Sequence, residues 1–67
     1  MRKIRVLVDI YDGDYHIYSP DDILIEDEPY SGFDPDGSFT VCYGHGCYVN
    51  IPIGSFEEIH EDTCQNV

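Results

Sequence analysis

Five residues in the C-terminal third carry the side chains best suited to chemistry: Cys42, His45, Cys47, His60 and Cys64. Thiolate and imidazole are ordinary zinc ligands, and Cys-x-x-His-x-Cys followed by His-x-x-x-Cys offers more donors than the four a structural zinc site takes. A metal staple would also suit a chain with a small core. The spacing argues the other way. Paired Cys-x-x-Cys units are absent, and the strand register derived below sends Cys42 and Cys47 to opposite faces. A zinc-stapled domain using Cys42, His45, Cys47, His60 and Cys64 is therefore the alternative, and no cofactor is expected.

The same residues serve poorly as a nucleophilic centre. A reactive thiolate needs neighbouring positive charge, and the only Lys and Arg residues are Arg2, Lys3 and Arg5. The histidines are scattered, and no glycine-rich phosphate loop is present. Asp34-Pro35-Asp36-Gly37-Ser38 and Asp12-Gly13-Asp14 look like pieces of calcium loops but lack the terminal bidentate Glu. Asp, Pro and Gly in such clusters ordinarily make turns. The chain is not expected to be an enzyme.

What remains is charge. Fourteen carboxylates face three Lys and Arg residues, for a formal net charge of −11. From Val6 onward there is no Lys or Arg at all. Direct nucleic-acid binding requires clustered cations to replace counterions on phosphates, and is excluded. Anionic membranes are excluded on the same ground. A basic protein surface is the partner that fits. The candidate contact residues are Asp9, Asp12, Asp14, Asp21, Asp22, Glu26, Asp27, Glu28, Asp34 and Asp36, with Tyr11, Tyr18 and Tyr30 adding amphipathic area beside arginine. Alternate strand residues stand about 6.6 Å apart on one face, a spacing that imitates a regular polyanion. In size and charge the chain resembles the small nucleic-acid mimics with which phages and mobile elements inhibit host defence or repair enzymes. That resemblance implies an acidic decoy that occupies a basic, nucleic-acid-binding groove. The alternative is a small β adaptor or subunit that binds through an apolar or edge-strand patch around Phe33, Phe39 or Tyr48.

The framework for these residues is a single small domain, 1–67. With 42% hydrophobic residues the chain is too apolar for a disordered acidic tail. At this length, folding hides only about 60% of the surface the unfolded chain exposes. No apolar run approaches the roughly 20 residues of a membrane-spanning helix. The N-terminal apolar run ends at Asp9, which argues against a signal peptide. The odd cysteine count argues against a disulfide framework, so the expected setting is cytoplasmic, the host cytoplasm if the gene is a phage's.

The fold class is mostly β. Ile4, Val6, Val8 and Ile10 alternate with Arg5, Leu7, Asp9 and Tyr11, which predicts one half-buried strand. A two-residue Asp12-Gly13 turn then pairs Ile10 with Tyr15 and Val8 with Ile17. A third strand is predicted at about 22–27, followed by a loop from Glu28 to Gly37. In the hairpin around Gly44-His45-Gly46, a three-residue loop pairs Tyr43 with Cys47, Val41 with Val49 and Phe39 with Ile51. This register collects the apolar side chains on one face and leaves Thr40, Cys42, Tyr48 and Asn50 on the other. Ser55-Phe56-Glu57-Glu58 matches a capping box and predicts a short helix or 3-10 turn at 56–61. The architecture expected is a small curled antiparallel sheet or open barrel of about five short strands.

Overall fold

The computed structural model describes residues 2–60. They form eight short strands: β1 (Lys3–Val6), β2 (Ile10–Asp12), β3 (Tyr15–Tyr18), β4 (Ile23–Ile25), β5 (Gly32–Phe33), β6 (Phe39–Gly44), β7 (Cys47–Ile51) and β8 (Phe56–Ile59). The domain is mostly β, as its alternating apolar residues require. The strands divide into three antiparallel sheets, ordered β4-β1-β8, β2-β3 and β5-β6-β7, and none closes into a barrel. One core joins them: Ile4 and Val6 from β1, Ile10 from β2, Leu24 from β4, Phe39 and Val41 from β6, and Ile51 from β7 are all buried. Phe33, Phe39 and Phe56 pack as an edge-on aromatic group with centroids 5.1–6.2 Å apart.

The first predicted strand is two strands. Ile4 and Val6 point inward as expected, but the ladder stops at Val6. Asp21 N–H donates to Val6 O at 2.7 Å, and Leu7 N–H donates to Ser55 O at 2.9 Å. The chain bends over Leu7–Asp9, so Val8 is exposed while Ile10 still reaches the core. The first hairpin also differs by one residue. Asp12 pairs with Tyr15 and Tyr11 with His16, so the loop is Gly13-Asp14. Gly13 supplies a φ of 65° at the first loop position. A hairpin with glycine there needs no second left-handed residue, and Asp12 is released into the strand. Ile10 then lies opposite Tyr18 across a bulge. Tyr15, predicted to point inward, is 78% exposed.

The second hairpin follows the predicted register over its length: Phe39 pairs with Ile51, Thr40 with Asn50, Val41 with Val49 and Cys42 with Tyr48. Its tip is different. Gly44 pairs with Cys47, the loop is His45-Gly46, and Tyr43 is an extra residue bulged out of β6. The bulge absorbs one residue, which is why a shorter loop leaves the same faces intact. The predicted loop at 28–37 contains β5, and its Ser31 bridges back to Asp27. The largest correction is at 56–61. Phe56–Ile59 is a strand on the open edge of β1, pairing Val6 with Phe56 and Lys3 with Ile59. Residue 61 lies outside the described residues.

Candidate partner-binding face

β1 and Arg2 just before it carry the chain's Lys and Arg residues, and β8 lies beside them. Arg2 donates two hydrogen bonds to Glu58, at 2.7 and 2.9 Å, while its guanidinium stacks 3.7 Å from the centre of the Phe33 ring. That bidentate bond holds the Glu58 carboxyl below its ordinary range. Arg5 Nε lies 3.4 Å from Glu57 Oε2, an ion pair outside hydrogen-bond geometry. The two β8 glutamates thus occupy both arginines. Among the described residues, neither arginine makes a contact ion pair with any of the ten carboxylates between Asp9 and Asp36.

Those ten divide into two groups. Five have side-chain duties inside the fold. Asp34 Oδ2 accepts hydrogen bonds from Ser38 Oγ, Thr40 Oγ1 and Asn50 Nδ2 at 3.2, 2.6 and 3.1 Å. Asp36 accepts from Ser38 Oγ and Ser38 N–H at 2.7 and 3.0 Å, bonds that lower its carboxyl pKa. Asp22 accepts from Ser19 N–H at 2.8 Å, closing the turn into β4. Asp9 lies 3.0 Å from His16, and Asp12 accepts from the Tyr43 hydroxyl. The second group is Asp14, Asp21, Glu26, Asp27 and Glu28. Among the described residues these side chains form no hydrogen bond or contact ion pair. Four of the five flank β4. Glu28 folds back over Gly32, where any side chain would collide with its carboxylate.

The tyrosines also separate. Tyr18 is half-buried against the core, and burial raises its hydroxyl pKa. Tyr11 is exposed and stacks at a tilt on His16, 5.1 Å between centroids. Tyr30 is 56% exposed and stands beside Tyr48, which is 50% exposed on the outer face of β7. The pair forms a ridge between two open hollows. One, of about 390 Å³, is lined by Asp27, Ser31, Cys42 and His45 besides the two tyrosines. The other, of about 190 Å³, is bordered by Glu28, Phe33, Asp34 and Thr40. Aromatic faces beside carboxylates suit a guanidinium better than an ammonium, because the planar cation can stack and donate together. The fold therefore brings Asp27, Glu28, Tyr30 and Asp34 onto one surface with Tyr48. Asp9, Asp12, Asp14 and Tyr11 lie on or beside the β2–β3 hairpin. Tyr48 is legible in sequence as an outward residue of β7, but only the 28–33 segment brings Tyr30 beside it.

The residues suited to covalent or metal chemistry do not converge. Cys42 and Cys47 are free thiols on opposite faces of the hairpin, bonded to the carbonyls of Gly44 and His45 at 3.0 and 3.6 Å. Among the described residues, no three His, Cys, Asp or Glu side chains are grouped to hold a metal; Cys64 lies outside them. Asp9, His16 and Ser19 have the composition of a hydrolytic triad. Both neighbours, however, meet the same nitrogen, Nε2, at 3.0 and 3.3 Å. A relay needs one partner on each ring nitrogen, so this arrangement orients the β2–β3 hairpin instead. Phe39 is fully buried and cannot anchor a surface patch. No helix among the described residues is long and apolar enough to cross a membrane. Comparison with protein-family models, curated proteins and solved structures finds no match.

Proposed function

We infer that the protein acts by binding, as an acidic decoy or inhibitor that occupies a basic, nucleic-acid-binding surface of a partner protein. The observation that carries this reading is the segregation of charge. Both arginines are engaged by Glu57 and Glu58. Asp21, Glu26, Asp27 and Glu28 are left exposed or half-exposed beside the Tyr30–Tyr48 ridge and the β4 edge. Glu26 aligns with Arg2, yet the hydrogen bonds of the Arg2 guanidinium go to Glu58, which leaves these four carboxylates without a contact ion pair to either arginine. Segregation raises the local field that steers a cationic partner. The resemblance in size and charge to the mimics that phages direct at defence or repair enzymes supports an anti-defence role as the specific form of this proposal.

The test is capture of the partner from host lysate, followed by competition with DNA or RNA and by association kinetics over a range of salt. Competition, with an association rate that falls steeply as salt rises, is expected. A rate indifferent to salt would exclude the decoy reading and leave an adaptor that binds through apolar contact.

A further inference from the structure

Strand β4 has one neighbour, β1, and its other edge is free among the described residues. Val6 N–H donates to Asp22 O at 2.9 Å, and Glu26 N–H donates to Arg2 O at 2.8 Å. Bonded and non-bonded pairs alternate in an antiparallel ladder. Leu24 therefore turns its backbone toward Ile4, while Ile23 and Ile25 turn theirs outward. Their side chains are 49% and 48% exposed. A strand edge with unpaired backbone and exposed isoleucines is a template for another strand.

The flanks of β4 decide which strand. Asp21 and Asp22 precede it; Glu26, Asp27 and Glu28 follow. A second copy pairing antiparallel about Leu24 would set Asp22 opposite Glu26 and Asp21 opposite Asp27. Like charges directly opposed across strands are destabilising, so the acids guard this edge against self-association. A strand with cations at its ends meets the opposite situation. The fold already contains the example. On its inner edge β4 pairs with β1: Lys3 and Arg5 stand opposite Ile25 and Ile23, and Arg2, just before the strand, aligns with Glu26. The same acidic residues stand at both ends of the free edge.

We propose that the free edge of β4 binds its partner by strand addition, accepting an extended segment with cationic ends and a β-branched or aliphatic centre. This rests on the reading that the acids face a basic protein and specifies how that protein is engaged. The backbone of Ile23 and Ile25 supplies the hydrogen bonds, their side chains supply the apolar contact, and Asp21, Asp22, Glu26 and Asp27 select the cationic ends.

The probe is the peptide acetyl-Arg-Lys-Val-Leu-Val-Arg-Lys-amide, titrated at low salt into the isotopically labelled full chain. The expected result is protection of the Ile23 and Ile25 amides from exchange, with Leu24 unaffected because its amide is already bonded. Methylating both valine nitrogens of the peptide should weaken binding by about tenfold or more, equivalent to about 1.4 kcal/mol. The variant Ile25→Thr, which keeps the β-branch and the strand, should weaken it less. Equal binding of the methylated peptide, or no response at Ile23 and Ile25 at millimolar peptide, overturns strand addition. A dimer that forms through β4 in sedimentation overturns the cationic partner. Strand addition by the peptide without nucleic-acid competition for the captured protein would refute the decoy reading alone.

Discussion

Two acidic segments of similar sequence do different work. Asp34-Pro35-Asp36-Gly37 is a turn whose carboxylates are consumed locally. Gly37 N–H closes onto Asp34 O at 2.9 Å, and Ser38, Thr40 and Asn50 all donate to Asp34. Among the described residues, the one hydrogen bond to a side chain of the acids around β4, from Asp21 to Glu28, is that from Ser19 N–H to Asp22. The difference comes from what lies within reach. A turn between β5 and β6 places hydroxyl and amide donors from β6 and β7 beside Asp34. An edge strand offers its flanking residues water on one side. Negative charge in the first segment is part of folding; in the second, Asp22 apart, it takes no hydrogen bond among the described residues.

That contrast can be broken by neutralising each segment in turn. Asp21→Asn, Glu26→Gln, Asp27→Asn and Glu28→Gln together should slow association with the captured partner by about tenfold or more, measured by stopped-flow at low salt. Stability should be unchanged or raised, since self-repulsion is relieved. Asp34→Ala should do the reverse. It leaves the Thr40 hydroxyl without its acceptor, while Ser38 keeps Asp36 and Asn50 keeps the Ser38 and Thr40 oxygens, and should cost roughly 1 kcal/mol in urea denaturation, with little change in association rate. If Asp34→Ala left stability intact, the division between the segments would collapse.

Two titrations sharpen the same distinction at smaller effect. The hydrogen bond to Asp12 pushes the Tyr43 hydroxyl from about 10 up to about 12. Because the folded form holds this proton more tightly, its stabilisation is complete below about pH 10 and is lost as pH rises toward about 12. Tyrosinate absorbance should show a late-titrating tyrosine that disappears in Tyr43→Phe and shifts to lower pH in Asp12→Asn. At the acid end, Glu58 is held down chiefly by its hydrogen bond to Arg2, and Asp36 chiefly by that to Ser38. Both contributions are present above the ordinary values of 4.5 and 3.8 and are lost as pH falls through the depressed ones. Stability measured across that window should fall less steeply in Arg2→Met and in Ser38→Ala than in the parent.

The acidic sequence and its apolar alternation determined the β class, the β6–β7 register and the separation of cations from most carboxylates. The register was legible because a slip of one residue would turn Val49 and Ile51 away from Phe39 and Val41 and mix Asn50 and Gly46 into that face, a penalty visible in the alternation alone. Strand β4 was legible because its apolar triplet is bounded by turn-forming and acidic residues. Tertiary structure decided the rest. Alternation from Ile4 to Ile10 reads as one strand, yet Ser55 and Asp21 claim the backbone at Leu7 and Val6 and bend it. Ser55-Phe56-Glu57-Glu58 reads as a helix start. The open edge of β1 offers Phe56 a place with Phe33 and Phe39, and offers Glu57 and Glu58 two arginines, so the segment extends instead. Which carboxylates remain for a partner was decided in the same way. Sequence counts charges, but only the fold sets which donors come within about 3 Å of them.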